Sequence, residues 1–285
     1  MQYMPQKIIN LLKKGSDANH SDKFRRGNII NLPADAELIA TGDIHGHQRN
    51  FERIIKFADL AGNNNRHLLL QEIIHGGPED AHGGCLSYKL LFDAIEWKVK
   101  FPDQVHIIMS NHDTTFINNG MVIKNGKEMN RSMRSAIDRE FQQTSEEIKK
   151  AMTSFFLSQP LAIRCANRIW LSHSLPSDRN LQKFDGVIFD RPLTIEDTVQ
   201  PGSAYLLTWG RNHSQETLDK MAEMLDVDIF ILGHQRQSGG FRLAGNNLLI
   251  IASDHNHGCL LPIDLSKTYT IEQLTSSIFP LASIA

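Results

Sequence analysis

Cysteine is scarce in this chain. There are three in 285 residues, Cys85, Cys165 and Cys259, far apart and with no Cys-x-x-Cys spacing. That argues against a disulfide framework or a thiolate zinc site, and it fits a reducing cytoplasm, the expected compartment. Long apolar runs are missing too: none approaches the roughly 20 residues a membrane helix needs, so no membrane partner is expected. Met1 to Lys14 lacks the apolar stretch and small-residue cleavage signal of a secretory leader. Charge of one sign is also lacking. Thirty Lys and Arg stand against 32 Asp and Glu, a net charge of −2. No basic field points to nucleic acid or anionic lipid, and no aromatic-basic platform for nucleic acid is present. No repeat, low-complexity tract or linker divides the chain.

What is present is an ordinary globular composition, 41% hydrophobic and 22% charged, with an unusual thirteen histidines. The length suffices for one large core. The stretch around which the chain is organised is Gly42-Asp43-Ile44-His45-Gly46. The apolar run Glu37 to Thr41 leads into it, and an amphipathic stretch from Gln48 to Leu60 follows. A strand ending in a carboxylate and an imidazole two residues apart, then turning on glycine into a helix, is how α/β enzymes place metal ligands at a strand tip.

The same grammar recurs. His67 to Leu70 reads as a buried parallel strand ending at Gln71-Glu72, with Gly76-Gly77-Pro78 beyond. Apolar residues at helical spacing from Leu86 to Val99 predict a helix closed by Pro102. Gln104 to Met109 reads as a strand running into Ser110-Asn111-His112-Asp113. Before these units, Pro5 to Lys14 reads as a short helix and Gly15 to Gly27 as a loop. After them come a turn-rich insert (118–126), charged helices (132–158) and a hairpin around Ala166-Asn167 whose second strand ends at His173. An irregular stretch (175–203), a helix (216–225) and a strand ending at Gly233-His234 follow. A further strand ends near Asp254-His255-Asn256-His257, and Gly258 to Ile263 closes the sheet. His255 and His257 are candidates for the pocket mouth, and His47 reads as a helix-start surface residue.

Six side chains able to bind metal thus follow apolar strands: Asp43, His45, Glu72, Asn111, His173 and His234. Imidazoles and carboxylates suit Mn, Fe or Zn better than Ca. Two ions about 3.5–4 Å apart, sharing a carboxylate, serve attack on phosphorus.

The series GDIHG, LLLQEIIHGGP, IIMSNHD, WLSHS and ILGHQ resembles that of the calcineurin-like metallophosphoesterase superfamily. Beyond the ligand motifs, FDAIEWKVKFPDQVHIIMSNHD, PLAIRCANRIWLSHSLPS and DIFILGHQRQSGG are similar to segments of the PPP-type serine/threonine protein phosphatases. The resemblance covers roughly 37–264. It implies an α/β sandwich of two mixed sheets with helices outside, in one domain spanning 1–285 with an N-terminal extension (1–36) and a core of about 37–264. It implies two divalent ions, Mn first and Fe or Zn as alternatives. Asp43 and His45 would hold the first, Asn111, His173 and His234 the second, with Glu72 at the bridging position. His112 would be the general acid, and Asp113 takes the acidic position after it.

The departures lie in the second motif. The family's GDxxDRG reads Gln71-Glu72-Ile73-Ile74-His75-Gly76-Gly77. Glutamate for aspartate pushes the carboxylate about 1.5 Å further out, one carbon-carbon bond. His75 replaces the aspartate that orients the catalytic histidine. Gly76 and Met109 replace arginines, leaving Arg211, Arg236 and His75 as candidate substrate contacts. The expected function is a metal-dependent phosphatase of serine/threonine type. The alternatives are a small-molecule or dinucleoside polyphosphate hydrolase and a catalytically weakened binding protein with the same fold. The expected partner is a phosphorylated protein or a small phosphoester; the sequence does not set an oligomeric state.

Overall fold

The computed structural model describes residues 4–124 and 126–285. Helix α1 (Pro5–His20) leads into strands β1 (Arg25–Arg26), β2 (Ile29–Leu32) and β3 (Glu37–Thr41), then α2 (Gln48–Ala58) and β4 (Arg66–Gln71). Next come α3 (Ser87–Lys100), β5 (Val105–Ile108), α4 (Asn111–Asn118), β6 (Ile123–Lys124), β7 (Lys127–Glu128), α5 (Met129–Phe141) and α6 (Ser145–Ser158). The second half runs β8 (Ala162–Cys165), β9 (Ile169–Ser172), α7 (Ser203–Trp209), α8 (Gln215–Leu225), β10 (Ile229–Leu232), β11 (Phe241–Ala244), β12 (Leu248–Ile251), β13 (Cys259–Asp264), α9 (Ile271–Ser276) and β14 (Phe279–Pro280).

Two mixed sheets form. One has the order β1-β2-β8-β9-β10-β12-β11 and the other β14-β13-β3-β4-β5. Parallel pairing joins β3 to β4, β4 to β5, β9 to β10 and β10 to β12. The strands read as nearly unbroken apolar runs because both faces are covered. Alternate residues make the division. Leu38, Ala40, Leu69, Leu171, Ile231 and Leu249 pack between the sheets. Ile39, Leu68, Leu70, Trp170, Phe230 and Leu248 face the helices. This is the two-sheet sandwich the resemblance implied.

The sheets converge where the candidate ligands sit. Asp43 bridges Gln71 of its own sheet and Ala252 beside β12 of the other. Gly42 makes that approach possible: a Cβ there would lie 2.1 Å from the Ile251 carbonyl oxygen. The C-terminal ends of β3, β4, β5, β9, β10 and β12 therefore open into one space, as expected for ligand sites in parallel α/β sheets.

Three local readings need correction. The helix expected to stop at Lys14 runs on to His20. Gly15 costs helix propensity but lets α1 settle against α3 and α6, since a Cβ there would meet Ile95 Cγ2 at 2.6 Å. Residues just before 37 and after 264 also join the main structure: β2 pairs with β8 and β14 with β13. The insert at 118–126, read as turn-rich, carries strand β6, which pairs with β7; before it, α4 is started by the reciprocal cap of Ser110 and Asp113.

At the opposite end of the sheets lies a buried charge cluster. Asp22 Oδ2 is 2.9 Å from Lys98 Nζ and 3.0 Å from His106 Nδ1. His106 Nε2 in turn is 3.0 Å from His67 Nδ1. Burial, then the neighbouring His106, pushes His67 down to about 3 from 6.5. Above 6.5 neither the folded nor the unfolded chain protonates it. Between 6.5 and 3 the unfolded chain binds a proton that the folded one refuses, so stability drops as pH falls through that window. The urea midpoint of the metal-free protein is expected to fall between pH 7 and pH 5, and to fall less in His67→Phe.

Candidate metal centre

Each candidate ligand is set by the turn that follows its strand. His45, Glu72 and His234 all have left-handed backbone, with φ of 46°, 44° and 65°. Such conformations cost about 1–3 kcal/mol each outside glycine and persist where surrounding structure imposes them, often at functional sites. Asn111 and His112 instead occupy the first turn of α4. The Ser110 amide donates to Asp113 Oδ2 at 2.9 Å, which fixes that turn.

Two donor clusters result. His45, Glu72 and His112 form one, and Glu72, His173 and His234 the other, with all ligand atoms in each within 4.8 Å of one another. Glu72 belongs to both. Its Oε1 is 3.4 Å from His112 Nε2, and its Oε2 is 3.5 Å from His45 Nε2 and 3.7 Å from His173 Nε2. Asp43 stands between the clusters: its Oδ1 accepts from the His234 amide at 2.8 Å and lies 3.8 Å from His173 Nδ1. Asn111 Oδ1 is 2.8 Å from His173 Nε2.

These residues fit a pair of divalent ions. Metal bonds of about 2.1 Å place neighbouring donors of one ion roughly 3–3.5 Å apart, close to the separations around Glu72. His45 Nδ1 faces the Ile74 carbonyl at 3.3 Å, so that nitrogen carries the proton and Nε2 keeps its lone pair for the cluster. His234 is buried, with the Trp209 backbone beside its ring, and no side chain among the described residues pairs with its ring nitrogens. Leaving such groups without a partner is costly, and a cation removes the cost.

The electrostatics agree. Burial pushes the Glu72 carboxyl well above its ordinary value, and the Asp43 charge adds to it. Burial pushes His45, His112, His173 and His234 down, keeping the imidazoles neutral, the form that binds metal.

The surrounding pocket has a volume of about 860 Å³ and is lined by Asp43, His45, Glu72, Asn111, His112 and His234 among others. Arg211 and Arg236 are on its wall, as are His255 and His257. Lys124 and Trp209, which sequence reasoning missed, also line it. Lys124 stands on the β6 strand that the turn-rich reading of 118–126 concealed. Trp209 ends α7 and donates to Thr114 Oγ1 at 3.1 Å, tying α7 to the ligand-bearing α4.

Two expected site residues are elsewhere. His75 is fully buried with both ring nitrogens unpartnered among the described residues, and it packs edge-on against His112 at 4.7 Å. It contacts His112 instead of the pocket, because the turn at Gly76-Gly77 packs against the backbone of His45 and Gly46 and closes over it. Burial, then His45, pushes its pKa down to about 3, so it is a neutral neighbour. Asp113, expected to act catalytically, is spent on capping α4. Burial raises its carboxyl to about 7, and it does not line the pocket. His47 caps α2, its Nδ1 accepting from the Asn50 amide at 3.2 Å.

Neutral imidazoles in two clusters that share the Glu72 carboxylate, at the rim of a two-sheet sandwich, make a candidate metal centre of the kind that serves hydrolysis. Residues 37–237 match the calcineurin-like phosphoesterase family, more than half of the chain, and the chain belongs to that family. By that membership it is a metal-dependent phosphatase. The fold is similar to a protein serine/threonine phosphatase from Saccharomyces cerevisiae with similarity to human phosphatase PP5. The TM-score is 0.70 at 13% identity, over 98% of this chain and 94% of the other. It is also similar to a cold-active protein-tyrosine phosphatase of a Shewanella species, with a TM-score of 0.55 at 14% identity, over 83% and 77% of the two chains. Among the described residues no helix is long and apolar enough to cross a membrane.

Elemental analysis after reconstitution is expected to find two divalent ions per chain. His234→Ala is expected to keep one, and Glu72→Ala to lose both.

Proposed function

We propose that the chain hydrolyses phosphate monoesters on protein side chains, as a serine/threonine-type protein phosphatase of the cytoplasm using two ions of the manganese type. The observation that carries this reading is the position of Glu72, whose carboxylate belongs to both donor clusters. A glutamate one methylene longer than the family's aspartate can serve there because residue 72 lies just past the end of β4 in a left-handed turn. From that turn the longer side chain still reaches both clusters, its two oxygens lying 3.4–3.7 Å from His112, His45 and His173.

In this reading Asp43 and His45 hold the first ion, and Asn111, His173 and His234 the second. Bound ions supply the positive charge that activates water and stabilises the phosphoryl oxygens. His112, on the pocket wall, is the general acid of this reading: neutral in the free site, it takes up a proton when the dianionic phosphate sits beside it and gives it to the departing oxygen. Arg211 and Arg236, on the same wall, take the phosphate in place of the missing family arginines. The pocket far exceeds a phosphate group, which leaves room for the chain that carries it.

A second reading has its own observation. Lys124, Arg211 and Arg236 place three cations around one pocket, an arrangement that also suits the several phosphates of a dinucleoside polyphosphate. Comparison of kcat/KM for phosphoserine peptides and for such polyphosphates separates the two, with the peptides expected to be preferred.

With Mn, turnover of p-nitrophenyl phosphate is expected in the wild type, with kcat about 10²–10⁴-fold lower in His112→Ala. Arg211→Ala is expected to raise KM about tenfold with less effect on kcat. A protein that binds two ions yet turns over no phosphoester with Mn, Fe or Zn would overturn the proposal.

A further inference from the structure

Gln71 stands where the family's second motif begins with glycine, and it is almost fully buried at the end of β4. Its amide is used at both ends. Nε2 donates to the Thr41 carbonyl at 2.8 Å, and Oε1 lies 2.9 Å from His173 Nδ1. The Thr41 carbonyl can only accept, so the amide cannot be turned round. Oε1 can only accept as well, so His173 carries its proton on Nδ1. Nε2 is then the bare nitrogen, and it faces Asn111 Oδ1 at 2.8 Å and Glu72 Oε2 at 3.7 Å. With Asn111 Oδ1 turned to it, the bare nitrogen and the amide oxygen stand 2.8 Å apart, a spacing that suits two ligands of one cation. Gly233 holds the arrangement from above: a Cβ there would come within 2.8 Å of Gln71 Oε1 and 2.3 Å of Asp43 Oδ1.

We propose that Gln71 is a positioning residue for the second ion, its side-chain amide locking His173 in the Nδ1–H tautomer with Nε2 turned to the ion pair. The proposal rests on the two-ion reading of the site. It adds a residue that touches neither ion nor substrate and that a glycine could not replace. A metal-binding histidine held through its other nitrogen binds more tightly than a free one, commonly by 10–100-fold. Free imidazole prefers its proton on the other nitrogen, so without Gln71 the ring has to be re-protonated and reoriented before it can bind.

The test has two readouts that do not depend on activity. In metal-free protein labelled with ¹⁵N-histidine, long-range ¹H–¹⁵N spectra report the tautomer, the His173 signals being identified by their loss in His173→Ala. The wild type is expected to show Nδ1 protonated and Nε2 bare. Gln71→Leu is expected to lose that preference, and Gln71→Glu, which keeps an oxygen acceptor, to retain it. Calorimetric titration with Mn²⁺ is expected to show second-ion affinity 10–100-fold lower in Gln71→Leu, first-ion affinity within about threefold of wild type, and substantial recovery in Gln71→Glu. A wild-type His173 protonated on Nε2 overturns the proposal even if no variant folds. So does a Gln71→Leu protein that binds the second ion as tightly as wild type. A wild type that takes up no second ion while keeping the Nδ1–H tautomer overturns the two-ion reading and with it the positioning role.

Discussion

The contact on which the site depends is the approach of the two sheets at Gly42 and Asp43. Asp43 pairs with Gln71 on one side and Ala252 on the other, and the missing side chain at residue 42 leaves room for the Ile251 carbonyl. Turns carrying Glu72 and Asn111 belong to one sheet, and those carrying His173 and His234 to the other. Only where the sheets touch can a carboxylate from the first stand among imidazoles from the second. A methyl group at residue 42 would push apart backbones that hold every donor, so its effect would reach well beyond local strain.

The chemistry of the cluster follows from its burial. A carboxylate out of water, beside another acidic group, resists ionising, and imidazoles out of water resist protonation. In the folded protein these groups stabilise one another poorly while no positive charge sits among them. The left-handed turns at His45, Glu72 and His234 add backbone cost to the same region. Stability there is given up in exchange for an arrangement suited to cations, while the Asp22, Lys98 and His106 cluster at the other end of the sheets is matched internally.

Much of this was legible from residue order. Strands ending at Asp43, Glu72, Asn111, His173 and His234 could be read because each is a short apolar run closed by polar residues, and parallel pairing puts such ends together. Arg211 and Arg236, candidates for substrate contact because the related series keeps its arginines elsewhere, both line the pocket. Less legible was anything set by contacts remote along the chain. The extension of α1 past Gly15 depends on Ile95 and Phe155. Asp113 looked chemical because of its place after His112, whereas its hydrogen bond to Ser110 shows a cap. The burial of His75 depends on how its turn folds against His45. Gln71 carried one signal, a bulky polar residue where the related series has glycine, but its meaning needed His173 and Thr41 beside it.

The Asp22 cluster bears on where this protein can be cut. The family match starts at residue 37, yet the counter-ion of the deeply buried Lys98 amine comes from residue 22. A fragment trimmed to the matched region would keep the ammonium group and discard the only carboxylate touching it among the described residues. It would also forfeit β2, the neighbour of β8. The stretch matched by the family is therefore smaller than the one that neutralises its own buried charge, and part of the difference is an electrostatic debt hidden inside the sandwich.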